Sequence, residues 1–103
     1  MSDVDDKKIY VNGYIDVPFD KRAEVLKELP THVALTQNEE GCLWFQIIEC
    51  KDVQNRLLVS EIFKDKAAFR VHQERAVDTK WARVTKCVER NLIIKEGSEI
   101  YSD

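Results

Sequence analysis

Two neighbouring stretches of this chain are apolar on both faces that a β-strand presents, and few folds can shelter such a pair. Successive side chains of a strand point to opposite sides of its sheet. Over residues 42–50, Leu43, Phe45 and Ile47 share one side, while Trp44, Gln46 and Ile48 share the other. Over residues 56–63, Leu57, Val59, Glu61 and Phe63 oppose Leu58, Ser60 and Ile62. Residues 52–55 read as a turn, so the two stretches form a hairpin. A third alternating run, 8–17, sets Ile9, Val11, Gly13, Ile15 and Val17 against Tyr10, Asn12, Tyr14 and Asp16, and Pro18 closes it.

Between these runs the spacing turns helical. Asp20 is the expected N-cap of a helix reaching about Asn38, with Ala23, Leu26, Leu29 and Val33 on its apolar stripe. Pro30 lies inside that pattern and is expected to kink or split the helix, and Gly41 to end it. Asp65 caps a second predicted helix through about Glu74, with Phe69 and His72 three apart on one face. Asp78 is the expected cap of a third, Thr79 to Arg90, carrying Trp81, Val84 and Val88. Residues 91–95 read as the last strand. The order β-α-β-β-α-α-β predicts an α+β, ferredoxin-like domain over residues 8–96, with a four-stranded antiparallel sheet and polar tails at 1–7 and 97–103.

In such a plan the helices cover one sheet face only. At about 25 cal/mol per Å², leaving a few hundred Å² of apolar strand surface in water forgoes several kcal/mol. Pairing face to face with a second copy removes that surface, so a homodimer is expected.

With 103 residues the chain fits one domain. Its 16 basic and 19 acidic residues are dispersed and give a net charge of −3, which argues against nucleic acid as a partner. No apolar run approaches the length of a membrane span, and the first residues are polar, so no membrane association and a cytoplasmic location are expected. Cys42 and Cys50, at opposite ends of one strand, would stand roughly 26 Å apart, too far for a disulfide. With His32 and His72 the only histidines, no zinc-ligand spacing exists.

Two runs carry a resemblance. Asn38-Glu-Glu-Gly-Cys-Leu-Trp-Phe45 places an acidic pair before glycine, then a small residue and alternating apolar ones. Ser60-Glu61-Ile-Phe63-Lys-Asp65-Lys-Ala-Ala-Phe69-Arg-Val-His72 places a glutamate, an aromatic two residues on, a helix cap, then Ala-Phe and a histidine. Together they resemble the antibiotic-biosynthesis monooxygenase family of dimeric α+β barrels, over roughly residues 8 to 95. The resemblance implies a pocket between helices and sheet and, in some members, oxidation by O₂ without metal or flavin. Other members degrade haem or isomerise small phosphorylated sugars or lactones, and many have no settled activity. The haem-degrading members' strand asparagine and helix tryptophan would fall at Gly13 and His72, which speaks against that activity here.

Oxygenation without a cofactor needs a base, a group to hold the resulting anion, and apolar walls. His72 is the expected base, because imidazole changes charge near neutrality. Glu61 lies on an apolar strand face and needs a partner, with His72 or an arginine expected. Arg75, three residues beyond His72, is the candidate anion holder. Trp81, Phe63, Phe69 and Phe45 are the candidate walls for a planar quinol-like or phenolic substrate. His32 is expected at the surface, and Arg90 at a helix C-terminus. The competing readings are an isomerase using the same histidine without O₂, and a non-catalytic dimeric binding or stress-response module.

Overall fold

The computed structural model describes residues 6–100, and the backbone alone of Ile100. The elements are β1 (Ile9–Asp16), α1 (Arg22–Gln37), β2 (Cys42–Glu49), β3 (Arg56–Phe63), α2 (Lys66–Ala76), α3 (Lys80–Val84), β4 (Glu89–Glu96) and α4 (Gly97–Ile100). The strands form one antiparallel sheet in the order β2-β3-β1-β4, the ferredoxin-like plan expected.

Strand alternation decides which face is covered. Ile9, Val11 and Ile15 of β1, Leu57, Val59 and Phe63 of β3, and Phe45 and Ile47 of β2 are buried beneath the helices, where Val25 of α1 and Trp81 of α3 join them. Register places Val11 between Glu61 and Ile94, and Gly13 between Val59 and Leu92. Hence Arg90, Leu92 and Ile94 also face the helix side. The opposite face exposes Trp44, Ile48, Leu58 and Ile93.

Several boundaries differ from the sequence reading. A bulge between Cys42 and Trp44 takes Leu43 out of the alternation and leaves it exposed, so it does not share the face of Phe45 and Ile47. Asp20 does not cap α1. It sits in a 3₁₀ turn, Phe19–Lys21, that runs directly into the helix. Pro30 falls on an exposed position, and α1 continues through it as one element. Gly41 ends nothing by a left-handed turn. A Cβ there would stand 2.3 Å from Cβ of Ala68, so glycine is required for α2 to pack closely.

The Asp65 cap is present, its carboxylate accepting from Ala68 N at 2.8 Å. Asp78 does not cap α3. Thr79 does, its Oγ1 accepting from Ala82 N at 3.3 Å. That helix stops at Val84 rather than Arg90, because the Thr85 hydroxyl donates to the Trp81 carbonyl at 2.7 Å and the chain turns into β4. From Gly97 the chain forms a short helix where a tail was expected. The outer tail residues, 1–5 and 101–103, lie outside the described residues.

Gly13 answers to a different constraint. Its φ is +153°, and a Cβ there would lie 2.0 Å from the Asn91 carbonyl oxygen, so only glycine lets β4 approach β1 at this point.

Candidate functional site

Between the helices and the covered sheet face lies a cavity of about 350 Å³. Its floor is Val11, Ile15, Ile47 and Val59, and α1, α2 and α3 supply His32, Phe69, His72 and Trp81. Ala76, Val77, Ala82, Leu92 and Ile94 complete the apolar lining. Among the lining residues Glu61, His72, His32, Gln73 and Arg90 are polar.

Glu61 is only 9% exposed, held by β3 between Val59 and Phe63. Its carboxyl makes no hydrogen bond among the described residues. Burial, with a smaller contribution from the negative charge of Glu39, pushes its carboxyl from 4.5 up to about 7. The partner expected for it is absent, because His72 and Arg75 both turn to Glu39 instead. His72 Nδ1 lies 3.1 Å from Glu39 Oε2, and the Arg75 guanidinium donates to the same oxygen. Arg75 also donates to Thr36 Oγ1 at 3.0 Å. A carboxylate can only accept, so His72 carries its proton on Nδ1 and keeps a lone pair on Nε2. Burial lowers the pKa of His72 while Glu39 works in the opposite direction, so the ring is neutral at neutral pH.

His32 is not at the surface. Its spacing from Val25 and Thr36 along α1 sets it on the buried stripe, and it is 5% exposed. Its ring stacks on Trp81 with centroids 4.7 Å apart and planes 6° apart, and lies 6.1 Å from His72. Desolvation, then the nearby His72 and Arg75, lowers its pKa to about 3.

Of the six residues expected together with His72, three line the cavity: Glu61, Trp81 and Phe69. Phe63 and Phe45 lie behind it as core, with Phe63 4.8 Å and Phe45 5.8 Å from the His72 ring. Arg75 is committed to Glu39 and Thr36 and does not line the cavity. The lining cation is Arg90, which comes from β4 rather than from a helix end. It donates to the Thr85 carbonyl at 3.2 Å and to Thr85 Oγ1 at 3.0 Å, so it does tie down the last turn of α3. The alternation Arg90, Leu92, Ile94 is the sequence signal for it, and it competes with the helical spacing of Trp81, Val84 and Val88 that runs into the same segment. Glu39 was visible in the sequence only as half of an acidic pair before Gly41. Among the described residues no group of three or more His, Cys, Asp or Glu side chains is placed to hold a metal ion, and no helix is long and apolar enough to cross a membrane.

Residues 8–83 match the family model described as antibiotic biosynthesis monooxygenase. Over 68 residues the chain is 34% identical to the Bacillus subtilis (strain 168) protein named "Putative monooxygenase YcnE", covering 66% of this chain and 72% of that one. In fold it is similar to a Nitrosomonas europaea structure described as a "Putative antibiotic biosynthesis monooxygenase", with TM-score 0.77, 18% identity, and 91% and 93% of the two chains covered. It is also similar to MupZ from Pseudomonas fluorescens, with TM-score 0.72, 12% identity, and 96% and 75% covered.

Proposed function

The chain belongs to the antibiotic biosynthesis monooxygenase family, and from that footing we propose that it oxidises a small quinol-like or phenolic substrate with O₂, without metal or flavin, in the cavity beside His72. The observation that carries the reading is the cavity itself. It is largely apolar, flanked by the Trp81 and Phe69 rings, and carries a neutral histidine and an unpaired carboxyl among its few polar groups. At about 350 Å³ it stands at the low end of the range for small-molecule sites, which suits one or two fused rings.

His72 is the base. Its Nε2 lone pair takes the proton of a phenolic hydroxyl, and Glu39 stabilises the imidazolium formed. The electron-rich phenolate then reduces O₂ between walls that exclude water. Glu61, with a carboxyl near 7, is a second proton carrier at neutral pH. Trp81 and Phe69 flank the substrate ring. Arg90, not Arg75, is the cation at the cavity. A single lining cation gives little support to a phosphorylated substrate, which would call for two or more.

The functional unit is a homodimer. Trp44 (49% exposed), Ile48, Leu58 and Ile93 leave one sheet face apolar, and a second copy docked on that face would cover it. Cys42, Cys50 and Cys87 are all free thiols, which supports a reducing compartment such as the cytoplasm.

The test is oxygen uptake by the purified, metal-free protein given a panel of reduced quinones and phenols. The expected result is uptake that falls about 10²- to 10⁴-fold in His72→Ala. No uptake across the panel would overturn the reading. Turnover of a carbonyl compound without O₂ would replace it with an isomerase, and ligand binding without any turnover would replace it with a binding module.

A further inference from the structure

Of the buried titratable side chains lining the cavity, His32 alone has no role in that mechanism. His32 is 95% buried, stacked flat on Trp81, and faces the cavity. Its Nδ1 is sealed from solvent and has no hydrogen-bond partner, and no bond to its other ring nitrogen exists among the described residues. A sealed ring nitrogen with no partner is costly, because it has given up its water. Orphaned buried donors are rarer in proteins than under-used acceptors. The proton therefore belongs on Nε2, which makes His32 a donor in search of an acceptor.

His72 has the complementary arrangement, its proton committed to Glu39 and a lone pair on Nε2. The two rings are 6.1 Å apart. That spacing is between ring centroids, and both rings line the same cavity, so an oxygen lying to one side of the pair comes within hydrogen-bond reach, about 2.7–3.2 Å, of a nitrogen on each ring.

We propose that His32 is a further catalytic residue, donating a hydrogen bond from Nε2 to the substrate oxygen that His72 deprotonates. The step balances simply. The O–H bond of the phenol breaks, an N–H bond forms on His72, the electron pair stays on oxygen, and His32 donates to that oxyanion. A donor suited to this task must not ionise itself, and desolvation holds His32 to about 3, so it stays neutral at any working pH. The charged and titratable groups around it are His72, Arg75, Glu61 and Arg90; none is hydrogen-bonded to its ring, Arg75 being held by Glu39 and Thr36 and Arg90 by Thr85. The stack on Trp81 fixes the ring plane, so the donor direction is set before substrate arrives.

The inference rests on the phenol-oxidising reading, but its test needs no turnover. The probe is 4-nitrophenol, half-ionised near neutrality, whose phenol and phenolate forms absorb at different wavelengths. Wild-type protein at pH 7 is expected to bind it enriched in phenolate. His32→Phe, which keeps a flat ring against Trp81, should lower the bound phenolate-to-phenol ratio about tenfold or more, as expected for a bond to a charged oxygen. His32→Gln, which keeps an N–H donor, should recover part of it. A purely packing role would move neither ratio while the thermal midpoints stay matched. Equal ratios in wild type and His32→Phe, or no phenolate enrichment in wild type, overturn the proposal. If enrichment depends on His32 but no quinol consumes O₂, the proposal stands and the oxygenase reading falls. If His32→Phe consumes O₂ at the wild-type rate, the oxygenase reading stands and the proposal falls.

Discussion

Replacing Glu61 with Gln tests the electrostatics of the cavity through stability alone. The Glu61 carboxyl moves from 4.5 in the unfolded chain to about 7 in the folded one, chiefly through desolvation. A raised folded-state value means that its stability contribution is complete below about pH 4.5 and is lost as pH rises through about 7. At 1.36 kcal/mol per pH unit, the folded chain should lose about 3 kcal/mol across that window. That is a large part of the 5–15 kcal/mol typical of a domain. His32 acts in the opposite sense, its lowered value removing stability as pH falls from 6.5 toward about 3. The contribution of His32 is common to wild type and variant and cancels in the comparison. Urea unfolding at fixed protein concentration, from pH 4.5 to 8, should show Glu61→Gln gaining on wild type by about 3 kcal/mol as pH rises. Parallel profiles would refute the claim that Glu61 is desolvated and unpaired.

Four further outcomes follow from the same contacts. Glu39→Gln removes the group that raises His72, so an NMR titration should show the His72 pKa falling further, and a rise would contradict the pairing. Gly13→Ala forces a Cβ to within 2.0 Å of the Asn91 oxygen at a φ of +153°, and should lower stability by at least about 1–3 kcal/mol in thermal or urea melts. Thr79→Ala should cost about 1 kcal/mol as a lost N-cap, whereas Asp78→Ala should be near neutral by the same assay. Trp44→Asp should convert a species of twice the chain mass to monomer in sedimentation without lowering helix content. A wild type that sediments as monomer at high concentration would refute the proposed pairing.

The sheet was legible because period-2 alternation survives even where both faces are apolar. Phe45 shares a face with Ile47, and Leu57 with Val59, as the alternation requires. Legibility failed where local chemistry outranked periodicity. The bulge after Cys42 broke the alternation at Leu43, and α3 ended at Val84, where the Thr85 hydroxyl bonds back to Trp81, four residues before the last apolar position of its pattern, Val88. That second failure also concealed Arg90, since a residue placed on a helix end cannot be seen lining a cavity from a strand. The site was half visible for a related reason. His72 and Glu61 stand on strongly patterned elements. Which carboxylate meets the histidine depends on how α1 ends against α2, and no spacing within either segment encodes that. His32 was misplaced because its neighbours Thr31 and Pro30 suggested a wet face. The α1 stripe that is buried instead runs through Val25, His32 and Thr36.

The most direct test of the whole account is where a reduced naphthoquinone binds. Anaerobic NMR titration follows the two indole N–H signals, from Trp81 at the cavity and Trp44 on the open sheet face, together with the His72 ring. The account predicts saturable shifts at Trp81 and His72, with Trp44 unmoved. Shifts at Trp44 alone, or at neither tryptophan, would contradict it.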